Sequence, residues 1–284
     1  MRVKTVGKLL SAALSGWWNH KDSRLAAAIA YYTMFSMAPL LVIVVAFAGA
    51  VFGEAAARGE LNMQITNLVG EEAVPLIESM IEGAGRFRTG LFAWVAGIIA
   101  LLIGATGVFA ALRDALETVW EVPQRAGLKG ILKTRGVSFL VILALGVLLV
   151  ALLIASASLP LFVRITGAFP GMKQLLGMVN FLLSFAVVMC VFAFAYKILI
   201  SVKLLWHEVW TGAALTSLLF TIGKLLIGIY LTSGRANSIY GAAGSVIVLL
   251  FWVYFSAQVF LFGAEFVRVY VAATRVPDNG NGKN

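Results

Sequence analysis

The stretch SGRANSIYGAAGSVIVLLFWVYFSAQVFLFGAEF, residues 233–266, decides the fold of this chain. It begins as a polar, glycine-rich turn and continues as a long apolar run. One amide, Gln258, lies inside the run, and one carboxylate, Glu265, lies near its end. Because a helix that crosses a bilayer needs about 20 consecutive, mostly apolar residues, the run predicts a membrane span.

The composition of the whole chain agrees with this prediction. Of its 284 residues, 61% are hydrophobic and 12% are charged, whereas soluble domains carry about 25% charged residues. The sequence therefore predicts an all-α membrane protein with a bundle of six transmembrane helices. We place the spans at about 27–53, 91–112, 136–163, 176–200, 209–231 and 243–270.

The net charge of +9 allows two interpretations. The basic residues either bind nucleic acid or determine the orientation of the spans in the membrane. In membrane proteins, Lys and Arg gather in cytoplasmic loops and set the orientation of the spans. Most basic residues of this chain lie before span one, after spans two and four, and in the tail. The pattern favours the second interpretation, predicts that both termini are cytoplasmic, and gives no reason to expect nucleic acid as a partner.

The N-terminal residues 1–26 read as a cytoplasmic amphipathic segment, followed by a transmembrane domain at 27–271 and a flexible cytoplasmic tail at 272–284. An interfacial helix on the inner leaflet explains the first segment better than a signal peptide does, because its apolar part is short and ends in two tryptophans. Its apolar face is formed by Val3, Val6, Leu10, Ala13, Leu14 and Trp17, opposite Lys4, Lys8, Ser11 and Ser15.

The first external loop, residues 54–90, also shows helical spacing of its apolar residues, at Leu76, Ile77, Met80 and Ile81 among others. This spacing predicts one or two amphipathic helices over the outer face of the bundle. Such helices would serve either as a lid over the packing surface or as a gate.

Catalytic and metal-binding signatures are not found in the sequence. With Cys190 as the single cysteine and only His20 and His207 as histidines, we expect no disulfide and no metal site. The segment HEVWT resembles the start of a zinc-protease motif but carries Thr211 where the second histidine is needed. No phosphate-binding loop or nucleophile elbow is present, so we expect neither an enzyme nor a cofactor.

Polar residues in the first span indicate a functional or a packing role. Pro39 lacks the backbone donor of a helix and predicts a kink, which membrane helices tolerate next to a cavity or a neighbouring helix. Tyr31 and Tyr32 precede it. They either line a polar pocket or form an ordinary interfacial belt.

Lys224 lies in the outer half of span five, where a charge is costly and therefore informative. Its long side chain either reaches the outer headgroups or contacts an anion inside the bundle. Asn237 and Tyr240, in the turn before span six, could hold the same anionic group. Gln258 is expected to form a hydrogen bond to a neighbouring helix.

Glu265 is predicted to lie near the inner surface, too deep to meet Lys224. Arg268 follows it by one turn, and Arg113 and Asp114 end span two on the same side. The four residues predict an ion-pair network that fixes the inner helix ends, with a role in transport as the alternative.

Three motifs together resemble the YihY/BrkB family of bacterial inner-membrane proteins: AAAIAYYTMFSMAPLLVIV (26–44), GATGVFAALRDALETVWEVP (104–123) and the long segment 206–266. The resemblance implies a six-span helical protein of the inner membrane. It does not imply a chemistry, because members carry names as different as virulence factor, transporter and ribonuclease BN. The ribonuclease label conflicts with two isolated histidines, which cannot supply a metal cluster. The matching positions are Tyr31, Tyr32, Pro39, Gly104, Arg113, Asp114, Trp120, Pro123, Gly212, Lys224, Tyr230, Asn237, Ile239, Tyr240, Gly241, Gly244, Gly263, Ala264 and Glu265.

The sequence leaves two main functional hypotheses. The first is a transporter or lipid-handling protein for an anionic or amphipathic substrate, with a path near spans one, five and six and with membrane lipids as partners. The second is a non-transporting scaffold for cell-envelope proteins, which could also form a homo-oligomer. A membrane enzyme acting on lipid is a third reading, and it would need a cluster of catalytic side chains brought together in space.

Overall fold

The computed structural model describes residues 3–52, 58–59, 61–63, 66, 74–85, 107–122, 172–200, 202–232 and 244–275, and within these ranges the regular elements are helices and no strand occurs. The prediction of an all-α protein is confirmed for this part of the chain. The helices are α1 (Val3–Asn19), α2 (Asp22–Phe52), α3 (Val74–Gly85), the helical residues 107–119 as α4, α5 (Met172–Leu199), α6 (Trp206–Thr232) and α7 (Gly244–Arg275).

Three helices of the described part are long and apolar enough to cross a membrane. They are Phe181–Leu199 in α5, Trp206–Ile227 in α6 and Val246–Arg275 in α7, and they correspond to predicted spans four, five and six. Predicted span three and most of span two lie outside the described residues. The count of six spans therefore stays a prediction.

The residues of predicted span one lie in α2, which begins at Asp22, before the predicted boundary. The helix continues through the position of Pro39, and the kink stays a prediction. Between α1 and α2, Lys21 takes a left-handed φ of 59°. This backbone conformation ends one helix and allows the chain to turn into the next.

The chain divides into two compact units. The first unit contains residues 1–16, 116–219 and 262–284, and the second contains residues 17–115 and 220–261. Each unit holds part of the antiparallel pair α6 and α7, and in each the two helices approach closely at a glycine. In the first unit Gly212 lies against Val267, and in the second Gly223 lies against the ring of Phe255. Small residues at such contacts let membrane helices pack without a hydrophobic driving force.

In the second unit, α3 packs on three longer helices. Its residues Ile77 and Ile81 are buried in a cluster with Leu41 of α2, Ile227 of α6 and residues of α7. A helix is thus present in the segment predicted to be the first external loop, and one of its faces belongs to the protein core. That it lies in the membrane interface, or moves as a gate, stays a prediction. The α7 members of the cluster are Val248, Leu249 and Trp252.

In the first unit, α1 packs on α7. Leu9 and Ala13 are buried together with Phe266. Gly16 approaches α7 so closely that a methyl group at this position would lie 2.5 Å from the carboxylate of Glu265. The N-terminal helix is therefore fixed to the last helix by both apolar packing and a close backbone approach.

Candidate functional site

Lys224 of α6 lies on the packed side of its helix rather than on the exposed side. Phe220 and Ile227, four residues before it and three after it, belong to the core of the second unit, and residues at this spacing share a helix face. The exposed face carries different residues, Leu225 at 61% and Leu226 at 63% exposure. Lys224 itself is half-buried.

The depth of Lys224 follows from its neighbour Gly223. Because Gly223 packs against Phe255 of α7, Lys224 lies level with a residue about 14 Å along α7 from Val246, at 1.5 Å per residue. The hydrocarbon core of a bilayer is about 30 Å thick. Among the residues that the structure describes, Lys224 has neither a hydrogen-bond nor an ion-pair partner. Within the described residues, Lys224 is therefore a half-buried cation without a partner, in a helix that is long and apolar enough to cross a membrane.

Gln258, the amide in the apolar run of α7, links two aromatic side chains. Its Oε1 accepts a hydrogen bond from Nε1 of Trp17 at 3.0 Å, and its Nε2 donates to the hydroxyl of Tyr254 at 2.6 Å. Trp17 belongs to α1, so the amide bonds to another helix, as such groups usually do in membranes.

We expect Trp17→Phe to lower the free energy of unfolding by about 1 kcal/mol, because it leaves the Gln258 carbonyl without its donor. Thermal unfolding of the purified protein in detergent, followed by intrinsic fluorescence, measures the change. Trp18→Phe is the matched control, since Trp18 is 74% exposed and its indole makes no hydrogen bond within the described residues. Equal effects of the two substitutions would contradict a stabilising role for this hydrogen bond.

The other candidate binding residues are placed only in part. Tyr31 is 58% and Tyr32 is 42% exposed, and the two rings meet edge to face at 5.6 Å. Tyr32 also packs against Gly107 of α4. Asn237 and Tyr240 lie outside the described residues. The structure therefore places Lys224, Gln258 and the tyrosine pair in one unit, while a binding role for them stays a prediction.

Glu265 and Arg268, which the sequence predicts at the inner helix ends, form an ion pair in the first unit. Arg268 contacts the buried Glu265 carboxylate at 2.9 Å and reaches Glu121 at 2.9 Å as well. Glu121, which the sequence did not single out, takes a left-handed φ of 51° after the end of α4. Arg113 and Asp114 lie in the second unit, and their part in this network stays a prediction.

A second ion pair was missed by sequence reasoning. Glu208 is 1% exposed, and its two carboxylate oxygens accept hydrogen bonds from Arg275 at 2.8 and 2.7 Å. The same carboxylate accepts a hydrogen bond from the backbone N–H of Leu205 at 2.7 Å, as an acidic residue in the first turn of a helix often does. Arg275 also donates to the carbonyl of Lys203 at 2.9 Å. The last residue of α7 thus holds the loop before α6 and the start of α6 together.

Lys197 also contacts the loop before α6. Its ammonium donates to the carbonyl of Leu204 and lies 5.2 Å from the centre of the Trp206 ring, a geometry of cation–π attraction. Hydrogen bonds to the loop carbonyls satisfy backbone groups that would otherwise lack partners near the membrane.

A buried hydroxyl pair joins α5 and α6. The hydroxyls of Tyr196 and Thr216 lie 2.9 Å apart, and both residues are fully buried. Gly263 of α7 faces this pair, and any side chain there would overlap both oxygens. Three helices therefore meet at one polar contact, for which the sequence signal was a glycine inside the apolar run.

Comparison with known proteins identifies the family of this chain. The model of the family described as virulence factor BrkB matches residues 13–283. A UPF0761 membrane protein of Tolumonas auensis is 29% identical over 260 residues, which cover 88% of this chain and 80% of the relative. No solved structure matches this chain.

Other relatives are considerably longer than this chain. A UPF0761 membrane protein of Alkalilimnicola ehrlichii is 26% identical over 249 residues, and one of Pseudomonas aeruginosa is 28% identical over 253 residues. The aligned part is 86% and 85% of this chain but only 54% and 57% of those relatives, so the chain spans about half their length. Since the family model covers most of the chain, this protein belongs to the virulence factor BrkB family.

Proposed function

We propose that this protein is a non-enzymatic, multi-pass protein of the bacterial inner membrane that binds and moves an anionic amphiphile. Its termini are cytoplasmic in this proposal, as the distribution of basic residues suggests. The observation that carries the proposal is Lys224, a half-buried cation on the packed face of α6 with no partner in the described part of the chain.

The chemical class of the substrate is inferred from the free-energy cost of placing the Lys224 cation in a membrane. A cation at membrane depth that faces the bundle is retained where it meets an anion, a cavity or a pathway. The neighbours of Lys224 on its face of α6 are apolar, since Phe220 and Ile227 belong to the core cluster of this unit. An anionic headgroup on an apolar body matches this combination of one cation and apolar walls.

The first test is a binding measurement. Native mass spectrometry of the purified protein, with phosphatidylglycerol and phosphatidylethanolamine added in turn, reports which lipid is retained. We expect selective retention of the anionic lipid, and Lys224→Met should weaken it by about tenfold to a hundredfold, the loss expected for one charge-assisted hydrogen bond. Lys203→Met is the matched control, because Lys203 is exposed in the loop before α6.

The second test separates binding from movement. In liposomes that contain fluorescent phosphatidylglycerol, chemical quenching from outside reports the rate at which the lipid changes leaflet. Faster movement with the wild type than with Lys224→Met supports transport. Selective binding without movement contradicts transport and favours a lipid-bound scaffold. Retention that is indifferent to Lys224 contradicts the headgroup site altogether.

A further inference from the structure

The N-terminal helix α1 has three faces rather than the two that its sequence suggested. Leu9, Ala13 and Gly16, at spacings of four and three residues, are buried, and they form the side of α1 that packs on α7. Lys8 and Ser15 are exposed and belong to a polar side. The contact with α7 covers one apolar side of α1 and leaves other apolar residues of the helix exposed.

The remaining apolar arc lies beside the packed face. Val6, Leu10 and Leu14 follow one another at four-residue steps and therefore form one stripe. Leu10, in the middle of the stripe, is partly buried and packs against the cluster of Leu9, Ala13 and Phe266, whereas Val6 and Leu14 are exposed. Val6 is 36% and Leu14 is 57% exposed, and Trp18, one turn further along the same helix, is 74% exposed. We call Val6, Leu10 and Leu14 the apolar stripe of α1. Exposure of Val6 and Leu14 to water would be unfavourable, so we expect another apolar surface to cover the stripe.

The lysines of α1 indicate which kind of surface covers the apolar stripe. Lys8 is exposed, and Lys4 occupies the position one turn before it, so both belong to the polar side that borders the apolar stripe. A helix with an apolar stripe next to lysines is the arrangement that lies in the interface of a bilayer containing anionic lipids. We propose that the apolar stripe of α1 docks on the acyl chains of an anionic phospholipid surface, with Lys4 and Lys8 at the level of the headgroups.

The packing of α1 on α7 gives this docking a consequence. Because Leu9 and Ala13 are buried with Phe266 and Gly16 lies against Glu265, the apolar stripe cannot turn freely toward or away from the lipid. The orientation of α1 is thus set by the protein before any lipid is met, which reduces the ordering cost of binding. The proposal rests on α1 alone and is independent of Lys224.

Spin labelling tests the proposal directly, because the chain has a single cysteine, Cys190. In a Cys190→Ser background, Leu14→Cys places a label on the apolar stripe, and Ser15→Cys places the matched control on the polar side. The labelled full-length protein is studied in nanodiscs of phosphatidylcholine, with or without phosphatidylglycerol. Collisions with oxygen report an acyl-chain environment, and collisions with a water-soluble nickel complex report an aqueous one.

We expect the ratio of oxygen to nickel accessibility to be several-fold higher at position 14 than at position 15. Phosphatidylglycerol should increase the ratio at position 14, and Lys4→Gln with Lys8→Gln should abolish that increase. Equal ratios at the two positions would overturn the docking. A label at position 14 that is shielded from both quenchers would overturn it in favour of a protein cover, such as a second copy of the chain. A ratio that does not respond to phosphatidylglycerol would overturn the selectivity for anionic lipid.

Discussion

Gly263→Ala is expected to destabilise the protein by about 3 kcal/mol, the upper end of the range for overpacking a well-filled core. The added methyl group would overlap the Thr216 hydroxyl and the Tyr196 hydroxyl. Both side chains are fully buried, so they cannot move aside without breaking their hydrogen bond or separating α5, α6 and α7. Thermal unfolding in detergent measures the loss.

Two further variants test whether the overlap is the cause. Gly7→Ala is the matched control, because a methyl group there meets no atom within 4 Å, and it should leave the stability unchanged or raise it by up to about 1 kcal/mol through helix propensity. Thr216→Ala combined with Gly263→Ala removes one of the overlapping oxygens and should recover part of the loss. A protein that tolerates Gly263→Ala as well as Gly7→Ala would contradict the three-helix contact.

Glu208→Ala is the second large effect, with an expected loss of about 3 kcal/mol in the free energy of unfolding. The substitution removes the acceptor of the Leu205 N–H and leaves Arg275 without the carboxylate that it grips through two hydrogen bonds. Glu208→Gln keeps an acceptor for Leu205 but not the charge, so it should lie between the wild type and Glu208→Ala. Thermal unfolding in the same detergent ranks the three proteins.

The control for this prediction is Glu82→Ala, since Glu82 is exposed on α3 and has no partner among the described residues. Its effect should be within about 0.5 kcal/mol, as for most surface substitutions. If Arg275→Met in the Glu208→Ala background lowers stability as much as it does in the wild type, the two side chains are not coupled, and a stabilising role for their ion pair is contradicted.

The three long apolar helices were predictable because their signal lies in consecutive residues. A run of apolar residues long enough for a bilayer identifies α5, α6 and α7 without any knowledge of their neighbours. The partner of Gln258 was not predictable in the same way. That an amide would bond to another helix follows from its cost in the membrane, but the choice of Trp17, 241 positions away in sequence, depends on which helices meet.

Glu208 was missed for a different reason, although its sequence signal was present. Its segment HEVWT was tested against a metalloprotease motif and rejected, while the simpler signal, an acidic residue in the first turn of a helix, was present in the same letters. For α1, helical periodicity identified an apolar side with Leu10, Ala13 and Leu14. Leu10 does pack against the cluster that contains Ala13, but Leu14 is exposed. A hydrophobic arc covered by protein and one left exposed look alike in sequence, because both are apolar.

The pairing of Glu208 with Arg275 also bears on how the protein is made. The two residues lie 67 positions apart, and a ribosome adds roughly 5–20 residues per second. For several seconds after Glu208 has been synthesised, the arginine that will neutralise it does not yet exist. The first turn of α6 then carries an uncompensated carboxylate, which favours staying in contact with water over burial. We therefore expect the carboxylate at the start of α6 to become buried only after the end of α7 has been synthesised.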